Sequence, residues 1–167
     1  MKTIVTVETI MNSSIERAFK TPILGDATQF LVGYGIIPAV EKFTDDSTWG
    51  KIGGQRIPHS AKNLISQGGK IGLDEVYCRE ENKYWKWGVA DFYQWSLGFK
   101  EFQGELFFEE VAKNKIKVRW VYTLISESKI AYPLHWLFGV IFWKGQMRIG
   151  IRKMKEYAES NADFLYK

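Results

Sequence analysis

One cysteine and two histidines are all the chain offers of thiol and imidazole metal ligands. Cys78 has no second cysteine to pair with, so an intramolecular disulfide and a cysteine-based zinc cluster are both excluded. His59 and His135 are too few for a histidine-rich site, so no metal and no cofactor is expected. A long hydrophobic run is missing as well. The longest nearly apolar stretch is Leu134 to Trp143, interrupted by His135, whereas a membrane-spanning helix needs about 18 or more apolar residues. The opening Met-Lys-Thr-Ile-Val-Thr-Val-Glu lacks the apolar core of a signal peptide. The expectation is a soluble, cytoplasmic protein. Charge of one sign is not in large excess either: the net charge is +4. Basic residues are mixed with acidic ones along most of the chain, which argues against a nucleic-acid face.

What the chain does have is aromatic surface. Seven Trp, eight Tyr and eleven Phe make up 16% of its 167 residues, beside 46% hydrophobic and 25% charged. Those are globular values, and one domain over residues 1–167 is the natural count at this length. The aromatics are unevenly spread. All but Phe19, Phe30, Tyr34, Phe43, Trp49 and Tyr77 lie from Tyr84 onward.

Periodicity predicts the elements. Thr3 to Ile10 alternates as a strand. Ser13 and Glu16 stand at capping-box spacing, so a short helix is expected to start there, with Ile15, Ala18 and Phe19 on its apolar face. Thr21-Pro22 is expected to end it, because the residue before proline is pushed out of the helical region. A second short helix is expected around Asp26 to Leu31. Strands follow at Val40 to Thr44, Gly53 to Ala61, Ile71 to Arg79 and Tyr84 to Trp95, the second confined to an edge or bulge by Pro58. A loop is expected around Ser96-Leu97-Gly98. Phe102 to Val111 and Ile116 to Ile125 form a hairpin through Ala112-Lys113-Asn114-Lys115. Pro133 suits the first turn of a helix. No proline interrupts the next stretch to Ser160, which is about 40 Å of helix at 1.5 Å per residue. Trp136, Val140, Trp143, Met147, Ile151, Met154 and Ala158 form its apolar stripe. Lys144, Arg148, Arg152 and Lys155 form a basic one. The tail from Asn161 is expected to fray.

Four places in this order carry a resemblance. They are the opening strand with Ser13-Ser14-Ile15-Glu16-Arg17-Ala18-Phe19, the run from Trp49 through Gly53 and Gly54 to Arg56, the hairpin from Gly104 to Trp120, and the long last helix. Together they resemble the START-like superfamily of polyketide cyclases, dehydrases and lipid-transport proteins, to which birch-pollen-allergen-like proteins belong. The resemblance spans Thr3 to about Ser160. It implies an α+β helix-grip fold: a curved antiparallel sheet of six or seven strands around the C-terminal helix, with two short helices after the first strand. It also implies a cavity for an apolar or amphipathic ligand between sheet and helix. The fold gives function a place without naming it.

Alternate residues of a curved sheet point inward. On the hairpin that set is Leu106, Phe108, Val118, Trp120 and Tyr122. On the preceding strand it is Trp85, Trp87, Val89 and Asp91, because two tryptophans are not both expected in water. Trp136, Val140, Trp143 and Met147 are the expected helix side. The plain alternative is that these aromatics fill a solid core. Arg56, His59 and Asp91 are the expected polar contacts. A carboxyl such as Asp91 in an apolar pocket would have a raised pKa, suiting acid chemistry or a grip on a ligand hydroxyl; at the strand's rim it would be solvated. One of Asp74 and Glu75 points inward if their strand is regular, and alternation alone does not say which.

The function expected is binding or transport of a hydrophobic small molecule: a lipid, polyketide or aromatic metabolite. The alternative is a cyclase, aromatase or dehydrase in the same cavity, using Asp91 with His59 or Tyr122. No Ser-His-Asp arrangement is evident, and the glycines around Lys51 lack the Gly-Lys-Ser/Thr ending of a phosphate loop. A third reading is a co-chaperone-like interaction module, which would show an exposed apolar patch in place of a pocket. Residues 134–143 are apolar on every face. They are either covered by the fold or exposed as a lid, a dimer contact or a peripheral membrane contact.

Overall fold

The alternating opening segment forms β1 (Lys2–Met11), whose odd-numbered residues from Thr3 to Val7 are buried while Ile4, Thr6 and Glu8 face out. The computed structural model describes residues 1–64, 66–93 and 98–160. The expected strand end at Trp95, the loop at Ser96-Leu97 and the tail from Asn161 lie outside the described residues.

Helix α1 (Ile15–Leu24) begins one residue later than the capping-box spacing suggests. Ser14 is the cap, and its hydroxyl accepts from the Arg17 N–H at 3.2 Å. The helix also runs through Pro22 to Leu24. Thr21 stays helical although it precedes a proline, with its hydroxyl donating to the Arg17 carbonyl at 2.7 Å. Tertiary burial of Ala18, Phe19, Thr21 and Ile23 outweighs the one backbone bond that proline cannot make. A single 3-10 turn, Ala27–Gln29, capped by Asp26, stands in place of the expected second short helix.

The strands that follow are β2 (Val40–Thr44), β3 (Gln55–Ser60), β4 (Gly69–Lys70), β5 (Leu73–Glu80), β6 (Tyr84–Ala90), β7 (Phe99–Ala112) and β8 (Lys115–Ser126). They join β1 in one antiparallel sheet, ordered β1-β8-β7-β6-β5-β3-β2, with the two-residue β4 beside β3. Seven strands form the path, as the resemblance implied, and β4 is the addition. In the β7–β8 ladder, Phe102 stands opposite Leu124, Leu106 opposite Trp120 and Phe108 opposite Val118. All six are buried and share the inner face. On that face Trp87 lies across Gly104, its register partner, and a Cβ built on Gly104 would meet the indole at 2.3 Å. Only glycine leaves room there.

The sheet wraps a C-terminal helix in three parts: α2 (Tyr132–Phe138), a π turn (Gly139–Trp143) and α3 (Lys144–Glu159). In α3, Met147, Ile151, Met154 and Ala158 are buried as expected. In α2 the buried residues are His135 and Phe138, and Trp136 is 50% exposed. The π turn explains the offset. Its wider turn takes up extra chain, so a stripe counted back from Met147 at ordinary helical spacing arrives on the wrong face of α2. The result is an α+β helix-grip fold, with the core between the sheet's inner face, α1 and the C-terminal helix.

Candidate functional site

Between the sheet and the C-terminal helix lies a partly enclosed cavity of about 130 Å³. Trp87 and Val89 of β6, Phe102 and Leu106 of β7, and Trp120 and Tyr122 of β8 form its sheet wall. Trp143, Gln146 and Met154 come from the helix, and Phe30, Leu31 and Ile37 close another side. The rings meet edge to face: Trp143 is 4.9 Å from both Phe102 and Tyr122, and Tyr122 is 5.7 Å from Trp87. That is the arrangement aromatic quadrupoles favour.

One charged pair stands in this apolar wall. Arg56 of β3 and Asp74 of β5 are register partners on adjacent strands, and both side chains line the cavity. Arg56 Nε donates to Asp74 Oδ2 at 2.9 Å, with both residues buried. The guanidinium carbon sits 3.8 Å from the Phe43 ring centre and 3.6 Å from that of Trp49, so Arg56 is clamped between two aromatic faces. Trp49 is itself fixed by donating its indole N–H to the Ile23 carbonyl at 2.9 Å. Burial pushes the Asp74 carboxyl above its ordinary range, and Arg56 opposes the shift. Burial likewise lowers Arg56, against the pull of Asp74. The Tyr122 phenol is pushed up, first by burial and then by the Asp74 carboxylate, which places all three groups in one electrostatic neighbourhood.

Four buried polar atoms on residues lining the cavity have no hydrogen-bond partner among the described residues. They are Asp74 Oδ1, Gln146 Oε1, Trp120 Nε1 and Trp143 Nε1: two acceptors and two donors. Native proteins leave few such atoms, because each costs about 1–3 kcal/mol unmet.

The expected site residues separate into groups. Trp87, Val89, Leu106, Trp120, Tyr122, Trp143 and Arg56 line the cavity. Trp85, Phe108, Val118 and Met147 are buried in the solid core beside it. Val140 is partly buried against that core, and Trp136 faces out. Asp91 is corrected outright: β6 ends at Ala90, and Asp91 is exposed with a φ of 49°. His59 is corrected too. Arg56, Pro58 and Ser60 take the inward positions of β3, so strand parity turns His59 outward. There its Nε2 lies 2.9 Å from the Thr44 hydroxyl. The pair of Asp91 with His59 or Tyr122 is therefore not assembled. Asp74, left open against Glu75, is the inward carboxylate. His135 is buried, bonded to the Ser126 hydroxyl and stacked on Phe99 at 4.2 Å. No cluster of three metal-ligating side chains occurs among the described residues.

No family model and no curated protein matches the sequence. Solved structures do match the fold. A crystal structure of Ara h 8.0201 aligns at TM-score 0.68 and 14% identity, covering 96% of this chain and 100% of that one. TTHA0849 from Thermus thermophilus aligns at TM-score 0.69 and 12% identity, over 96% and 99%. Norcoclaurine synthase from Thalictrum flavum, in complex with dopamine and hydroxybenzaldehyde, aligns at TM-score 0.67 and 7% identity, over 98% and 90%. The chain has the helix-grip fold of these structures.

Proposed function

We propose that this protein binds a small ring-bearing molecule that carries hydrogen-bonding groups, in the cavity between sheet and helix. The observation that carries the reading is the buried Arg56–Asp74 pair in an aromatic wall, with Asp74 Oδ1 unpartnered. Size supports a ring over the other ligand classes. An apolar cavity of about 150 Å³ takes up benzene, and this one is about 130 Å³. That volume suits one aromatic ring, with any substituents reaching toward the open side, and is too small for a full acyl lipid. Polarity narrows it further. Asp74 Oδ1 and Gln146 Oε1 call for a donor such as a hydroxyl, and the two indole N–H groups call for an acceptor. Asp74 is already neutralised by Arg56, so an uncharged hydroxyl fits better than a second cation. That one fold neighbour was crystallised with dopamine and hydroxybenzaldehyde is in keeping with rings of this size.

Native mass spectrometry of freshly purified protein, followed by extraction, tests the reading. A co-purifying hydroxylated aromatic supports it. Without one, a panel of phenols and their deoxygenated counterparts decides. Phenols should raise the melting temperature in a concentration-dependent way, and the counterparts should do so less. No bound compound and no response to any phenol would refute it.

Catalysis is the second reading, favoured by one observation: the buried Asp74 carboxyl and the Tyr122 phenol line the same cavity, where burial raises the carboxyl. A ligand recovered chemically altered after incubation supports it. A ligand recovered unchanged leaves cytoplasmic carriage or storage as the role. The interaction-module reading predicts an apolar patch in place of a cavity; here a cavity is present, and the exposed apolar residues of α2 lie outside it.

A further inference from the structure

The outward face of the C-terminal helix has no part in the cavity, and its composition changes sharply along its length. Leu134, Leu137 and Ile141 are 70%, 43% and 46% exposed, and Trp136 stands beside them at 50%. Ile130, just before the helix, is 94% exposed. Further along the helix, beyond the π turn, come Lys144, Arg148, Arg152 and Lys155, which form a groove with Thr6 to Thr9 of β1. Lys155 reaches Glu159 at 3.8 Å. The carboxylate in the groove, Glu8, is already paired with Lys117 at 3.4 Å. Lys144, Arg148 and Arg152 make no ion pair among the described residues. From Leu134 to Lys155 is about 30 Å of helix at 1.5 Å per residue.

Apart from the Lys155–Glu159 pair, neither half has an ion-pair or packing partner among the described residues. Exposed apolar side chains on a helix that also has a full buried face contribute nothing to the core. A row of unpaired cations repels itself and is drawn to a surface of fixed negative charge. A bilayer offers both complements at one boundary: an acyl edge for leucine, isoleucine and tryptophan, and anionic headgroups for lysine and arginine. An acidic protein or a nucleic acid would satisfy the cations and leave the apolar end in water. We propose that these two neighbouring stretches of the helix dock the protein on anionic membrane surfaces, with residues 134–141 dipping into the interface and the cations lying over the headgroups. No helix of the described residues is long and apolar enough to cross a membrane, so the contact is peripheral. Docking does not depend on what the cavity binds.

Flotation of the full chain with liposomes tests this. Binding is expected to phosphatidylserine-containing vesicles and not to phosphatidylcholine alone, and it should weaken as salt screens the charges. Arg148→Glu with Arg152→Glu should weaken binding by more than an order of magnitude, since each cation near an anionic surface contributes about fivefold in affinity. Leu134→Ser with Leu137→Ser should weaken it through the other half. These positions are exposed, and unchanged melting temperatures would confirm that the variants fold. Equal flotation with both vesicle types overturns the proposal, as does no flotation with either. So does anionic binding indifferent to both variants. Cation-dependent binding to DNA without vesicle binding would also overturn it and assign the face to another class of partner.

Discussion

Replacing Arg56 by methionine asks whether the charged pair in the cavity wall is held by mutual neutralisation. Methionine keeps most of the side-chain volume between Phe43 and Trp49 and removes the guanidinium. Asp74, buried at 3% exposure, then loses its one bonded partner and has both oxygens unmet. Breaking a buried pair from one side costs about 3–5 kcal/mol. For a domain of this size that lowers the melting temperature by roughly 6–20 °C. The reciprocal variant, Asp74→Leu, strands a buried cation and should cost a similar amount. The double variant, Arg56→Met with Asp74→Leu, buries no charge, and such replacements are often neutral or stabilising. The singles therefore sum to far more than the double, and the cycle should return a coupling of several kcal/mol.

The pH dependence gives an independent check. Burial already raises Asp74 above its ordinary 3.8 in the folded chain, and removing Arg56 raises it further. A carboxyl with a raised folded pKa lends stability that is fully present below its unfolded pKa and is lost as pH rises through the folded value. The gap between Arg56→Met and the parent should thus be small near pH 4 and widen on the way to neutrality. Its slope is at most about 1.4 kcal/mol per pH unit, the limit for one proton. Urea denaturation of the four proteins at several pH values measures all of this. If Arg56→Met costs under about 1 kcal/mol, if the two changes add, or if the gap narrows as pH rises, the pair is not the buried, mutually dependent element described above.

Three further outcomes follow from single contacts. Gly104→Ala places a Cβ where the Trp87 indole lies, 2.3 Å away, so Trp87 must shift. A loss of about 1–3 kcal/mol with a changed near-UV circular dichroism spectrum is expected, and an unaltered spectrum and midpoint would contradict the packing. Ser14→Ala should lower the urea stability by about 1 kcal/mol through loss of the α1 cap, and Ser13→Ala should do much less; the reverse ranking would restore the cap to Ser13. His59 should titrate below 6.5 by NMR, because partial desolvation and the neighbouring Lys42 and Lys70 disfavour its charged form. Its depressed pKa gives a stabilising contribution present above pH 6.5 and lost as pH falls through the folded value, a small one at so exposed a position. Lys70→Gln should raise that midpoint, and a midpoint above 6.5 in the parent would remove the cause assigned to it.

The legible and illegible parts of the site divide along a physical line. Strand alternation placed Leu106, Trp120 and Tyr122 on one face because side-chain period is a local property of extended chain. Parity also separates Arg56 from His59: three positions apart on one strand, they cannot share a face without a bulge between them, so the outward turn of His59 is readable from spacing alone. Asp91 needed more. Its placement turns on the residue at which β6 stops, and strand ends are set by tertiary pairing as much as by sequence. Trp136 was hidden for another reason. A segment apolar on all sides carries no moment, so nothing local reveals that a π turn offsets α2 from α3. Asp74 is the instructive case. Alternation offered Asp74 or Glu75, and neither has a local reason to prefer the interior. The choice is made across strands, where the register of β3 and β5 sets Arg56 opposite Asp74 and Gln55 opposite Glu75. Gln55 bonds Glu75 at 2.8 Å in solvent, while Arg56 carries Asp74 inward. A buried carboxylate is tolerable only with its counter-charge beside it, so the inward position of Asp74 was decided by the residue 18 positions earlier. The same dependence makes Arg56→Met a test of the site as well as of stability: without the guanidinium, Asp74 stays in the wall only as an unpaired buried carboxyl.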